Sequence, residues 1–288
     1  MSGLSLTLPE PDESPAGPVF SSYLRELRLS LDLTLTDAAA VLGCSKAKAS
    51  RLETGRLHRV VDAMRLMKRY GVGNQSLTAI YHLLQEPPRS VLTDAVPGWL
   101  DRLHACQRQA DSLVIYTAYS LPDIARIPEH PVEVLTQLLR ANVSVRVPPR
   151  EALTGDNGQG VTLLLDEMVL HRPLGGPSVM AEQVLHLQQL ARSEKGPQIR
   201  VVPLSAHVLP PSGLLHHMTL HGHDLVAEEW GDFVLYHVGE TATQWRHRFD
   251  AALAAAAPAD EAAGYLGEAH ARFEEAAAEL VGSSHRRA

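Results

Sequence analysis

Residues 34–56 read Thr-Leu-Thr-Asp-Ala-Ala-Ala-Val-Leu-Gly-Cys-Ser-Lys-Ala-Lys-Ala-Ser-Arg-Leu-Glu-Thr-Gly-Arg, and no other stretch limits the fold so tightly. Thr34 and Asp37 form a Thr-x-x-Asp capping box, in which each residue satisfies an amide that the first helical turn leaves free. Ala38, Ala39, Val41 and Leu42 give the helix a small apolar face, which lets a second helix cross closely. Gly43 ends the helix, because the sharp turn requires a backbone that tolerates positive φ. Ser45 caps a second helix predicted over residues 46–54, with Ala49 and Leu52 facing inward. Lys46, Lys48 and Arg51 then remain on the outer side, and Gly55 stops the helix.

Two short helices at a glycine turn, the second studded with cations, make a helix-turn-helix, which points to duplex DNA. Over residues 24–72 the stretch resembles the XRE-type (Cro and phage-repressor-like) helix-turn-helix family. The resemblance implies that the second helix enters the major groove, with Ser45, Lys46, Ala47, Lys48 and Arg51 facing bases or flanking phosphates. It places Arg28 and Glu53 on a buried pair that ties the first helix to the recognition helix. Arg56, His58 and Arg59 fall in the following loop, where the family touches the sugar-phosphate backbone. The plainer alternative is a small helical bundle with a solvated Lys/Arg face. Charge favours the first reading: residues 19–85 carry ten Lys/Arg and five Asp/Glu, whereas the whole chain has a net charge of −7. A basic module on an acidic body orients toward phosphate and binds in a salt-dependent manner.

At 288 residues and 45% hydrophobic content, the chain is expected to form two domains with tails. Residues 1–18, with four prolines among acidic residues, read as a disordered tail. Residues 19–85 are the DNA-binding module, completed by apolar positions Val60, Met64 and Met67, then Leu77, Ile80, Tyr81 and Leu84. Residues 86–98, punctuated by Pro87-Pro88 and Pro97-Gly98, read as a linker. Residues 99–282 form the second domain and 283–288 a tail. No long apolar run or basic-then-apolar leader is present, which places the protein in the cytoplasm, nucleoid-associated when bound to DNA, with no membrane partner. The two widely spaced cysteines, Cys44 and Cys106, suit a reducing compartment. Cys44 is read as a small filler of the turn, with a redox switch as the alternative.

The second half mixes strand and helix. Strands are expected over 113–117, 143–147, 161–165 and 198–204, with helices over 97–110, 131–140 and 179–192. Leu135-Thr-Gln-Leu-Leu-Arg and Leu187-Gln-Gln-Leu-Ala-Arg hint at a repeated strand-helix-strand unit. A three-strand meander is expected over 214–221, 224–229 and 233–238, followed by Ala-rich helices over 241–256 and 260–281. The fold class is therefore α+β overall: an all-α five-helix module of lambda-repressor-like type, then an α/β domain with a mixed sheet and Ala-rich terminal helices.

A second resemblance is carried by Leu164-Leu165-Asp166-Glu167, Leu170, Pro173, Gly175-Gly176-Pro177, Val179-Met180, Gln183, Leu187 and Val201-Val202-Pro203. Residues 161–250 resemble the C-terminal domain of undefined function in actinobacterial XRE-type regulators, WhiJ-like or antitoxin-like. The Pro-Gly-Leu-Leu-Gln-Thr segment usual in that family is replaced by Tyr119-Ser-Leu-Pro-Asp-Ile-Ala-Arg.

Among residues that bear chemistry, His216, His217, His221 and His223 with Asp224, Glu228 and Glu229 are the densest cluster. On one unbroken strand His217, His221 and His223 share a face and form a candidate metal triad, against the reading of solvated or core histidines. His217-x-Thr219-x4-Asp224 also resembles the His-x-Lys-x4-Asp signature of phospholipase D-like enzymes, with Thr219 in place of the lysine. Gly155, Gly158 and Gly160 lie in a polar loop read as a connector. No cofactor is implied, and the chain is not expected to be an enzyme.

Leu266, Ala269, Phe273, Ala276 and Leu280 form one stripe on the last helix, either packing on its own domain or serving as a subunit interface. Together these readings describe a sequence-specific transcriptional regulator that binds a pseudo-palindromic operator as a homodimer. Its second domain answers a small-molecule effector or a small protein partner. The alternatives are an antitoxin-like interaction module that only autoregulates, and an enzyme or metal site at His216–His223.

Overall fold

The helical period that dominates the first seventy residues recurs in the three-dimensional structure, a computed structural model describing residues 14–55, 57, 59–87, 89–131, 160–194 and 196–285. Five helices come first: α1 (Ala16–Leu29), α2 (Leu35–Leu42), α3 (Lys46–Leu52), α4 (Val60–Arg69) and α5 (Asn74–Gln85). Strand β1 (Val91–Asp94), helix α6 (Trp99–Gln109) and β2 (Ser112–Thr117) follow. Next come β3 (Val161–Asp166), α7 (Pro177–Arg192), β4 (Gln198–Val202), β5 (Leu214–Leu220), β6 (His223–Glu229) and β7 (Val234–His237). Helices α8 (Gly239–Ala255) and α9 (Ala259–His285) complete the chain. The seven strands lie in the order β1-β7-β6-β5-β2-β3-β4, antiparallel at β1-β7-β6 and parallel at β2-β3-β4. The protein is α+β, as its sequence leads one to expect.

Two compact units are present, one holding the described residues up to Asp111 and 218–245, the other those of 112–131, 160–217 and 246–285. In the first unit α1 buries Val19, Phe20, Tyr23, Leu24 and Leu27, all at most 2% exposed, because steps of three and four keep one face on the core. Helix α1 begins at Ala16, inside the stretch expected to be a tail. Pro18 is accommodated there because amides of the first turn have no intrahelical acceptor to lose. In α4 the buried apolar residues are Ala63, Leu66 and Met67, so the face is rotated from the expected Val60-Met64-Met67 register. The expected linker stretch carries β1, since Val91 and Leu92, between the Pro87-Pro88 pair and Pro97, find an antiparallel partner in β7, with Leu92 opposite Tyr236. Packing of α1 on α6 joins the five-helix region to β1 and α6 in one core.

A buried ion pair lies in that core. Arg102 donates through Nε to Asp94 Oδ2 at 2.5 Å and through Nη2 to Asp94 Oδ1 at 2.7 Å. It also donates to the Val96 carbonyl at 2.7 Å, and the guanidinium stands over the Phe20 and Tyr23 rings at 5.7 and 5.6 Å. Both charged side chains are fully buried, so each depends on the other for the solvation it has lost.

In the second unit the parallel register pairs Leu163 with Ile115 and with Ile199. Leu163, Leu164 and Leu165 are all buried, the near-continuous apolar run expected of a strand covered on both faces. The β3-α7-β4 segment is the strand-helix-strand unit read from the sequence. The helix and second strand expected over 131–140 and 143–147 lie, apart from Pro131, outside the described residues, as do Gly155, Gly158 and most of the N-terminal tail. Gln183 on α7 is fully buried and clamps the 125–127 loop, donating to the Ala125 carbonyl at 2.8 Å and accepting from the Ile127 amide at 2.9 Å. Helix α9 packs on α7, burying Leu266, Ala269 and Phe273, whereas Leu280 is 58% exposed. The first part of the apolar stripe therefore packs on its own unit. Among the described residues no helix is long and apolar enough to cross a membrane.

Removing the Asp94 charge tests how far the first unit leans on its buried pair. Asp94→Ala leaves Arg102 charged and buried, and is expected to lower stability by about 3–5 kcal/mol in urea unfolding, with loss of packing in both the helical region and β1.

Candidate nucleic-acid interface

The helix-turn-helix is assembled from local rules before any long-range contact is needed. The Thr34 hydroxyl accepts from the Asp37 amide at 3.2 Å, and the Asp37 carboxylate accepts from the Thr34 amide at 2.8 Å, so the capping box is complete. The Thr34 hydroxyl also donates to the Asp37 carboxylate at 2.6 Å, and this bond, with that from the Thr34 amide, holds the Asp37 carboxyl below the usual carboxylate range. Gly43 adopts φ 62° and ψ 39°, and its amide and that of Cys44 close back on Ala40 and Ala39 at 3.2 and 3.0 Å. An L-residue would be strained there. Ser45 then caps α3, its hydroxyl accepting from the Lys48 amide at 3.3 Å.

Ala49 and Leu52 anchor α3 in the core, which leaves Ser45, Lys46, Ala47 and Arg51 exposed along its free side. Arg51 Nε donates to the Ala47 carbonyl at 3.3 Å, laying the guanidinium along the helix. Arg59, at the N-cap of α4, is exposed too. Arg56 and His58 lie outside the described residues.

Arg28 and Glu53 fix the position of α3. Arg28 Nε and Nη2 reach the two Glu53 oxygens at 2.8 Å each, and Nη1 donates to the Leu33 carbonyl at 2.6 Å. One guanidinium thereby joins the end of α1, the loop leading to α2 and the end of α3. The hydrogen bonds to Glu53 raise the Arg28 pKa further, against the desolvation that burial imposes. Tyr70, buried beside the pair, is pushed up to about 12 chiefly by desolvation. Helix α1 also lies close to the turn that follows α3: a Cβ on Gly17 would stand 2.8 Å from the Gly55 carbonyl oxygen.

Sequence reasoning missed Asp62. Its carboxylate is nearly buried, and its Oδ2, which accepts no hydrogen bond among the described residues, lies at ion-pair distance from Lys48 Nζ (3.3 Å) and Arg59 Nε (3.7 Å). Asp62 stands four residues before Leu66, on the apolar face of α4, and an acid at that spacing was the available clue. It missed Ser22 as well, whose hydroxyl lies 2.9 Å from His221 Nε2.

The histidine cluster does not converge. His221 and Gly222 have φ of 51° and 82°, the two positive angles of a tight hairpin turn, so the strand ends at Leu220 and the alternation needed to align His217, His221 and His223 is broken. His217 packs against the Phe249 ring at 5.5 Å, and His216 is fully buried. Among the described residues no group of three or more His, Cys, Asp or Glu is placed to hold a metal ion. Burial pulls the His221 imidazole down to about 4, reinforced by Arg25 and His223 and opposed by Asp111.

With this geometry in place, comparison with known families decides what the chain is. A family model described as a domain of unknown function (DUF5753) matches residues 100–268, more than half of the chain. The chain belongs to the DUF5753 family. A helix-turn-helix domain matches residues 19–79 of this DUF5753 protein, covering most of α1, all of α2–α4 and the first half of α5. No curated protein and no solved structure matches the chain.

Two outcomes follow from the site. Arg28→Ala strands the Glu53 carboxylate in the core and is expected to cost about 3 kcal/mol in thermal or urea unfolding; Glu53→Gln strands the Arg28 guanidinium instead, and is expected to cost somewhat less because the amide oxygen still accepts one of its hydrogen bonds. The folded protein refuses a proton at His221 that the unfolded chain accepts, so stability present above pH 6.5 is lost as pH falls toward about 4. His221→Asn, which tolerates positive φ and does not titrate, is expected to lose less stability than the parent between about pH 7 and about pH 5 in urea titrations.

Proposed function

We propose that this protein is a sequence-specific DNA-binding transcriptional regulator of XRE type, with α3 as the recognition helix in the major groove. The observation that carries this reading is the exposed row Ser45, Lys46, Ala47 and Arg51 on a helix whose other side is locked by Ala49, Leu52 and the Arg28–Glu53 pair. A rigid helix with free side chains at its N-terminal end suits base-edge contacts. Arg59, with Arg56 and His58 from the same loop, supplies backbone contacts. The role is binding rather than catalysis, and the setting is cytoplasmic. The DUF5753 region is the regulated part: it answers an effector or partner and sets occupancy, and the regulator acts as a homodimer because one recognition helix spans only a few base pairs.

A gel-shift titration on the duplex enriched from a random-sequence pool tests the assignment. Arg51→Ala combined with Lys48→Ala is expected to weaken selective binding by at least about tenfold while the circular dichroism spectrum stays unchanged. Unaltered affinity for that duplex contradicts it.

A further inference from the structure

Asp62 connects two of the cations assigned to DNA, and neither Lys46 nor Arg51 forms an ion pair among the described residues. Its side chain is only 6% exposed, those of Lys48 and Arg59 are 40% and 63% exposed, and both cations lie at ion-pair distance from the same oxygen, Oδ2, which accepts no hydrogen bond among the described residues. The carboxylate is at the start of α4 beside the fully buried Ala63 and Leu66, so it has little water of its own and depends on these cations for compensation. Any phosphate that approaches must compete with it for Lys48 and Arg59. Because two cations share one carboxylate, one can move to DNA while the other keeps the buried charge paired.

We propose that Asp62 is a specificity-determining residue: it withholds Lys48 and Arg59 from indiscriminate phosphate binding and yields one of them to a duplex that offers a better-placed acceptor. The proposal rests on the reading of α3 as a recognition helix. Discrimination of this kind works by weakening the wrong complex more than the right one. General affinity for DNA is set mainly by how many phosphates are neutralised, so holding back two cations lowers it directly. The sequence-selected complex suffers less, since contacts from Lys46 and Arg51 position the duplex against α3.

The test is a fluorescence-anisotropy titration over a salt series, using a random-sequence duplex and the selected duplex. Asp62→Asn is expected to raise affinity for the random duplex by about three- to tenfold at low salt. The plot of log K against log salt is expected to steepen by about one to two, and preference for the selected duplex to narrow. Random-duplex affinity that stays level or falls, with the thermal unfolding midpoint preserved, overturns the proposal. A second variant keeps Asp62 in place and so does not depend on how Asp62→Asn folds. Lys48→Gln is expected to weaken random-duplex binding less than Arg51→Gln does, because the Lys48 ammonium is already held; equal losses overturn the proposal. If the parent protein prefers no sequence, the regulator reading fails, whereas a rise in random-duplex affinity on Asp62→Asn still supports the carboxylate as a brake on phosphate binding.

Discussion

The contact on which the interface depends is the bidentate pair between Arg28 and Glu53. It is almost wholly removed from water, with side-chain exposures of 8% and 3%, and it joins three segments that local sequence rules form separately. Capping and glycine turns make α2 and α3 helical, but they do not fix α3 against α1. The guanidinium does, by holding the Glu53 carboxylate with two nitrogens and the Leu33 carbonyl with the third. Such geometry is what a planar fork provides and an ammonium does not. Burial makes the pair costly to break, so the angle at which α3 presents its free side has little latitude.

Behind this pair is a second core that the helical region shares with β1 and α6. Arg102 is bound by Asp94 and backed by the Phe20 and Tyr23 rings of α1. On the same helix, Glu26 accepts from Arg108 and from Gln109, both at 2.9 Å. Helix α1 thus has one end engaged with the end of α3 and its middle with α6. The tight turn at His221-Gly222 adds the hydrogen bond to Ser22, again on α1. A helix held at so many points is a stable base for α3.

Much of this was legible in the residues and the remainder was not, for physical reasons. The capping box, the αL glycine, Ser45 and the inward Ala49 and Leu52 are decided within a few residues of one another, and short-range patterns record such choices directly. The mixed sheet and the β3-α7-β4 crossover could be read from apolar runs alternating with an amphipathic helix. Strand β1 escaped notice because four residues between prolines become a strand only when β7 supplies an edge. The rotated face of α4 and the burial of Asp62 depend on neighbours distant in sequence, as does the ion pair of Lys48. The histidine triad failed because alternation was extended through Gly222, where two positive φ angles reverse the chain. The upper part of the α9 stripe was correctly periodic, but periodicity alone does not say whether the covering surface belongs to the same unit or another molecule.

The central claim is that α3 reads sequence. Genome-wide occupancy mapping of the protein in its own cells tests it most directly, because the map itself reveals whatever operator the protein selects. The expected result is a limited set of sites sharing a pseudo-palindromic motif, with half-sites about one helical turn apart. Occupancy spread over the genome without a shared motif would contradict the claim.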